Sequence, residues 1–200
     1  MKIGIYGGTF DPPHNGHVHA CKCFYGSFDL DKLFIIPTAI PPHKTRESSV
    51  SGEDRLEMAR LAFASVGERI EISDLELRRE GKSYTKLTIQ HFVNSGIDEI
   101  YLLCGTDMFV TFDTWYDFTY IFEHATIVCM RRESNMELDD LINQKAAEYK
   151  KKYNARIEFI NEKPIEISSS ELRKGILSGE SAKYLSKDVY EFIIKRGLYQ

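Results

Sequence analysis

The chain has 200 residues, of which 42 % are hydrophobic, so it can form one domain with a sizeable core. Its formal net charge of -4 and pI near 5.9 provide no general attraction to nucleic acids or anionic membranes, so neither is expected as a partner. No signal sequence or transmembrane helix is predicted, because no apolar run reaches the roughly 18 residues that a span needs. These features predict a cytoplasmic protein.

Short β-branched and aromatic runs alternate with segments of helical period. This alternation predicts an α/β fold, a doubly wound parallel sheet with flanking helices and a small C-terminal helical part, in a single domain over residues 1–200. Such a sheet binds ligands beyond the carboxyl ends of its strands, where the strand order reverses. The predicted strands are 2–6, 32–36, 69–73, 99–104, 126–130 and 156–160, and the predicted helices include 52–65, 84–94, 138–153 and two short helices near the end of the chain.

The stretch "YGGTFDPPHNGHVH" at 6–19 directly follows the first predicted strand. Its paired glycines permit close approach of the backbone to a ligand, and the following helix, with Asn15 as its cap, presents main-chain N–H groups to an anion. His14 and His17 share one face of this helix, and Gly16 between them leaves space for a phosphate or a base. The stretch does not match GxGxxG, and the chain contains no GxxxxGK[ST], which disfavours both the dinucleotide-binding Rossmann motif and the P-loop.

These residues alone leave the role of the histidines open. Phosphate contact is one interpretation, a metal site formed by His14, His17 and His19 is a second, and ordinary structural hydrogen bonds are a third. The metal interpretation lacks a nearby carboxylate or thiol at familiar spacing. The four cysteines likewise show no CxxC pair, which predicts reduced thiols rather than structural disulfides.

A second motif, "EISSSELR" at 166–173, places three serines at a predicted helix start with Arg173 one turn further on. Hydroxyls, N–H groups and a guanidinium can then converge on one oligophosphate. The alternative is an ordinary capping box formed by Ser168 and Glu171.

The HxGH turn after the first strand, together with the SSSxxR helix start, resembles the HxGH and ISSTxxR motifs of the nucleotidylyltransferase superfamily. This resemblance implies that the doubly wound parallel sheet is Rossmann-like and that the two motifs hold the ATP phosphates. The strings "IPPHK", "KSYT", "LLCGTD" and "TWY" follow in order, and over essentially its whole length the chain is similar to the bacterial nicotinate-nucleotide adenylyltransferases. This resemblance implies transfer of AMP from ATP to nicotinate mononucleotide, giving nicotinate adenine dinucleotide (deamido-NAD) and pyrophosphate in NAD biosynthesis. It also implies Mg²⁺ as a cofactor carried mainly by the ATP phosphates, with no protein metal ligands.

The resemblance implies three overlapping sets of site residues. The catalytic residues are His17, His14, Arg173 and Lys44. The ATP-binding residues are Gly8, Thr9, Phe10, His14, His17, Gly105, Asp107, Ser169 and Arg173. The residues that bind nicotinate mononucleotide are His43, Lys44, Thr85, Trp115 and Tyr116.

Several of these residues also have ordinary structural interpretations. Trp115 could fill the core, Asp107 could cap a helix and Lys44 could be a surface lysine. The chain also departs from the family pattern at two places. "RRES" at 131–134 replaces an expected Arg-Pro-Gly-like turn, so Arg131 and Arg132 are left out of the predicted site. The third position of the serine motif is Ser170 rather than threonine.

The predicted reaction needs no general base, because a mononucleotide phosphate is already anionic at neutral pH; positioning and charge stabilisation are expected to supply the catalysis. One alternative is a pantetheine-phosphate adenylyltransferase, which shares both phosphate motifs but gives no reason for "SYT" and "TWY". Another is a non-catalytic nucleotide-sensing module, which the presence of both His17 and Arg173 disfavours. A homo-oligomer is compatible with the sequence, which does not determine the oligomeric state.

Overall fold

The computed structural model describes residues 1–40, 50–130, 136–163, 165 and 167–200. Its six strands form one parallel sheet of order β3-β2-β1-β4-β5-β6, which confirms the predicted doubly wound α/β architecture. The strands are β1 (Lys2–Gly8), β2 (Lys32–Pro37), β3 (Ile70–Ile72), β4 (Glu99–Gly105), β5 (Ala125–Met130) and β6 (Arg156–Ile160).

The helices flank both faces of this sheet. They are α1 (Asn15–Ser27), α2 (Gly52–Phe63), α3 (Thr85–Asn94), α4 (Thr106–Val110), α5 (Phe118–His124), α6 (Met136–Tyr153), α7 (Ser169–Gly175) and α8 (Lys187–Arg196), with short 3-10 turns at Phe112–Thr114 and Ala182–Tyr184. None of the described helices is both long enough and apolar enough to cross a membrane.

The sheet separates two hydrophobic cores because successive side chains of a strand point to opposite faces. Leu102 and Ile127 pack into one core, while their chain neighbours Leu103 and Val128 pack into the other. Every residue of β5 is buried, as expected for a parallel strand covered by helices on both faces. These continuous apolar runs made the strands predictable.

Several details of the helices differ from the predictions. Helix α2 ends at Phe63 rather than at 65, and α6 begins at Met136 rather than at 138. The helical period over 52–65 groups Arg60 with apolar residues of α2, but Arg60 is exposed and pairs with Glu57 at 3.0 Å, whereas Arg55 is buried. Helix α3 begins one residue later than predicted, since Tyr84 is extended and occupies the N-cap position. All four cysteines are free in the structure.

The strand order places the reversal point beside β1, which pairs with β2 on one side and β4 on the other. The motif at 6–19 lies at the carboxyl end of β1, and the junction of β4 with α4 at Gly105 lies at the carboxyl end of β4. The topology therefore brings two distant parts of the sequence to the edge where doubly wound sheets bind ligands.

Candidate active site

A cavity of about 560 Å³ lies at the carboxyl ends of β1 and β4. Every predicted site residue within the described ranges lines it, whereas His43 and Lys44 lie outside those ranges. The lining residues from the prediction are Gly8, Thr9, Phe10, His14, His17, Thr85, Gly105, Asp107, Trp115, Tyr116, Ser169 and Arg173.

The two motif histidines form a reciprocal capping box at the start of α1. His17 N–H donates to His14 Nδ1 at 3.3 Å, and His14 N–H donates to His17 Nδ1 at 3.2 Å, with the rings stacked at a centroid distance of 3.7 Å. A ring nitrogen that accepts a hydrogen bond carries no proton, so each neutral ring holds its proton on Nε2. The pair is thereby organised as two Nε2–H donors.

This arrangement corrects one prediction about the start of α1. The helix is capped by the extended His14 rather than by Asn15, whose amide instead donates to the carbonyl of Lys183 at 3.2 Å. Gly16 has a purpose beyond the predicted one: a Cβ there would lie 3.0 Å from both His14 Nδ1 and the carbonyl oxygen of Ile165. The glycine therefore makes room for the His14 ring and a neighbouring backbone as well as lining the cavity.

The serine motif packs directly on the histidine loop. Ser169 Oγ donates to the carbonyl of Pro12 at 3.1 Å, and Arg173 Nη1 donates to the carbonyl of Asp11 at 2.7 Å. Ser168 is the N-cap of α7, but its side chain makes no capping hydrogen bond, so the capping-box alternative is not supported. Hydroxyl and guanidinium groups thus lie beside the histidine pair, as the two motifs predicted.

The opposite end of the cavity joins the start of α3 to the segment after α4. The rings of Tyr84 and Tyr116 lie 4.7 Å apart, and Lys86 Nζ lies 3.7 Å from Asp117 Oδ2. Thr85 is the first residue of α3, and N–H groups in the first turn of a helix have no acceptor within it. Two main-chain segments are therefore held together where the pyridine base was predicted to bind.

Trp115 packs against the core and also lines the cavity, so the structure agrees with both of its interpretations. It stacks on the buried Phe112 with centroids 4.5 Å apart and planes 12° apart, and it also lines the cavity. Asp107 is exposed in the first turn of α4, and the N-cap position belongs to Gly105. The structure therefore does not support a capping role for Asp107.

A metal centre finds no support in the described residues, which contain no group of three or more His, Cys, Asp or Glu side chains able to hold an ion. His14 and His17 use their Nδ1 atoms in the capping box, and His19 Nε2 lies 2.8 Å from the carbonyl of Lys163. Phosphate contact and structural hydrogen bonding remain compatible with this histidine geometry.

Comparison with known proteins agrees with the geometry. Residues 5–175 match the Cytidylyltransferase-like family model. The chain is 35 % identical to a Clostridium tetani protein, over 100 % of this chain and 99 % of the relative, and 39 % identical to one from Dictyoglomus thermophilum, over 100 % of both. Each is named "Probable nicotinate-nucleotide adenylyltransferase".

The chain belongs to the nicotinate-nucleotide adenylyltransferase family. Solved structures share its fold: Plasmodium falciparum nicotinic acid mononucleotide adenylyltransferase complexed with NaAD has a TM-score of 0.77 at 18 % identity, covering 99 % of this chain and 97 % of that one. The same Plasmodium protein complexed with APC has a TM-score of 0.75 at 19 % identity, covering 99 % and 96 %.

In this member of the nicotinate-nucleotide adenylyltransferase family, the motifs missed a buried arginine that supports the site. Arg55 is 3 % exposed, and its Nη1 donates to the carbonyls of Thr9 at 2.8 Å and Thr38 at 2.7 Å. It ties the histidine loop to the loop after β2. The sequence contains one signal for this role: Arg55 is a charged residue on the apolar face of α2, three residues before the buried Met58.

The motifs also missed a carboxylate in the cavity wall of this adenylyltransferase family member. Glu76 is buried; Thr88 Oγ1 donates to its Oε1 at 2.7 Å, and the Ser83 hydroxyl hydrogen-bonds the same carboxylate. Burial raises the pKa of Glu76, against the lowering effect of the two hydroxyls and Arg79. Its partners flank Thr85, so Glu76 braces the start of α3, and no local pattern indicated this role.

Proposed function

We propose that this chain transfers the adenylyl group of ATP to nicotinate mononucleotide, giving nicotinate adenine dinucleotide and pyrophosphate. One observation carries the proposal: a single cavity joins a stacked pair of Nε2–H histidines beside Arg173 to the paired main-chain segments at Thr85 and Tyr116. One end suits a polyphosphate and the other a flat ring with a polar substituent. Full-length similarity to proteins named for this reaction supports it.

The chemistry is an in-line displacement at the α-phosphorus of ATP. A phosphate oxygen of the mononucleotide forms a bond to this phosphorus, and the bond to the oxygen that bridges to the β-phosphate breaks, so pyrophosphate leaves with the electron pair. Because the attacking oxygen is already anionic, the protein needs to position the reactants and stabilise charge rather than to remove a proton.

His17 is proposed as the main catalytic group. Its Nδ1 is engaged in the capping box, so its Nε2–H donates to oxygens that gain charge on the α-phosphate and the departing pyrophosphate. His14 supplies a second ring donor, and Arg173 supplies a permanent positive charge with paired N–H groups. These donors are fixed before the substrate arrives, which is the condition for strong transition-state stabilisation.

The remaining predicted parts complete this proposal. His43 and Lys44 are proposed to approach the phosphates from the loop after β2, although they lie outside the described residues. Mg²⁺ is proposed as a cofactor carried mainly by the ATP phosphates, whose charge it would partly neutralise.

The test is product identification by mass spectrometry after incubation with Mg-ATP and one acceptor: nicotinate mononucleotide, nicotinamide mononucleotide or phosphopantetheine. We expect the deamido dinucleotide and pyrophosphate with the first acceptor at the highest rate. Dephospho-coenzyme A as the main product would favour the pantetheine-phosphate alternative. ATP binding without any pyrophosphate release would indicate a nucleotide-sensing module.

A further inference from the structure

Asp11 is a buried carboxylate in the histidine loop that the proposed chemistry does not use. It is 8 % exposed, and its Oδ1 accepts a hydrogen bond from the hydroxyl of Tyr199 at 2.6 Å. Its Oδ2 lies 3.7 Å from Arg173 Nη1, the same nitrogen that donates to the Asp11 carbonyl at 2.7 Å. Asp11 therefore connects a tyrosine 188 positions away in the sequence to the phosphate-binding guanidinium.

Tyr199 is held firmly enough to serve as a support. It has a φ of 64°, in the left-handed region that few residues other than glycine adopt. Before it, α8 is fastened to α2, because Arg196 Nε and Nη2 donate to Asp54 Oδ1 at 3.1 and 2.9 Å. Burial raises the pKa of Tyr199, and the neighbouring Asp11 carboxylate raises it further, so the hydroxyl keeps its proton and acts as the donor.

Arg173 needs such support because its side chain is long and 35 % exposed. Within α7 it has one fixed partner of its own, Ser170 Oγ, to which Nη2 donates at 3.1 Å. Among the described residues, the other hydrogen bond and the ion pair of its guanidinium are both with Asp11. A guanidinium that must meet a phosphate with paired N–H groups loses strength when its plane is free to rotate.

We propose that Tyr199 is a positioning residue for ATP: its hydroxyl fixes Asp11, and Asp11 fixes the orientation of Arg173. The inference rests on the proposed function in taking ATP as the ligand. It adds that the segment following α8 forms part of the phosphate site without touching the substrate.

The test measures ATP affinity by isothermal titration calorimetry without any acceptor, beside steady-state kinetics with both substrates. Tyr199→Phe removes one hydroxyl, and we expect it to weaken ATP binding by about fivefold or more, the scale of one lost hydrogen bond to a charged group. The KM for the mononucleotide should stay within about twofold of the parent value, since Tyr199 acts at the phosphate end. Tyr190→Phe on α8 is the matched control, and its ATP affinity should equal that of the parent.

A double-mutant cycle separates positioning from general stability. If Tyr199 acts through Arg173, adding Tyr199→Phe to Arg173→Lys should change ATP affinity by less than about twofold. An equal loss in both backgrounds, or a parallel weakening of both substrates, would overturn the proposal. So would unchanged ATP affinity in Tyr199→Phe.

A second variant keeps the proposal testable if Tyr199→Phe folds poorly. Asp11→Asn keeps an acceptor for the tyrosine hydroxyl but removes the charge beside Arg173, and we expect a similar loss of ATP affinity in a folded protein. Unchanged affinity there would also contradict the proposal. Calorimetry measures ATP binding and needs no turnover, so the two hypotheses can fail separately. If the parent protein transfers no adenylyl group but the variants still lose ATP affinity as expected, the proposed function is refuted and this inference is supported.

Discussion

The two ends of the cavity use different chemical groups: side chains at the phosphate end and main-chain segments at the base end. At the phosphate end, side chains such as His14, His17 and Arg173 supply the functional groups, and two contiguous motifs encode them. At the base end, main-chain segments around Thr85 and Tyr116 meet through an aromatic contact and an ion pair. Side-chain chemistry is visible in a motif, whereas main-chain donors are available at almost every residue and acquire meaning only from their placement.

The largest expected effect tests the phosphate end. His17→Asn keeps an acceptor near the Nδ1 position for the capping box but removes the Nε2–H donor, so we expect the fold to persist and kcat to fall by roughly 10² or more, since such a donor is typically worth about 2.7–4 kcal/mol. Steady-state kinetics and circular dichroism measure the two properties. His91→Asn, at an exposed position on α3, is the control. Near-parent turnover in His17→Asn would contradict the assignment.

Arg173→Lys should have the next largest effect. A lysine keeps the positive charge but cannot reproduce paired N–H contacts or the bond to the Asp11 carbonyl, so we expect kcat/KM for ATP to fall by about tenfold or more. The ratio of efficiencies on nicotinate and nicotinamide mononucleotide should not change, because the substitution lies at the other end. Lys174→Gln, at the exposed neighbouring position, is the control. A changed acid-to-amide ratio would show that the two ends are not separable.

Base selectivity tests the main-chain end. Two N–H donors satisfy both oxygens of a carboxylate, whereas a carboxamide opposes one donor with its own NH₂, a mismatch that costs on the order of 1–3 kcal/mol. We therefore expect kcat/KM for nicotinate mononucleotide to exceed that for the amide by at least about tenfold, equivalent to about 1.4 kcal/mol. Equal efficiencies on the two substrates would refute the donor argument.

Trp115→Ala tests whether ring stacking contributes to the preference for the acid. Stacking serves both bases, so the variant should weaken both substrates similarly while the preference for the acid survives. Because Trp115 also packs on Phe112, thermal unfolding must be measured beside the kinetics. Loss of the preference would assign selectivity to the ring rather than to the main chain.

Glu76→Gln should give the smallest effect. We expect the KM for the mononucleotide to rise by about three- to tenfold, the scale of one weakened hydrogen bond, with the KM for ATP unchanged. A carboxyl whose pKa is raised in the folded state stabilises the fold below its unfolded pKa and loses that contribution as pH rises through the folded value. The melting temperature of Glu76→Gln relative to the parent should therefore increase as pH rises from about 4 to 7.

The matched control is Glu80→Gln, which is exposed on the same connection. It should show neither the kinetic change nor the pH-dependent shift in melting temperature. A rise in the KM for ATP in Glu76→Gln would mean that Glu76 supports the whole cavity rather than its base end.

The strands and the two phosphate motifs were predictable from the sequence because their signals are local. Strands such as β4 and β5 are buried on both faces and read as continuous apolar runs, and the predicted and observed bounds of β6 coincide. Histidine, serine and arginine at fixed spacing likewise carry their chemistry in the residue types themselves.

Tertiary structure alone decided how those groups are held. His14 caps α1 because its extended backbone places Nδ1 over the N–H of His17, a role that residue preferences assign to Asn15. Asp11 and Arg55 became supports of the site only when the fold buried them among partners far away in the sequence, and Glu76 when the fold buried it against the start of α3. Buried polar groups must find partners, and which partner each one finds is set by packing rather than by neighbours along the chain.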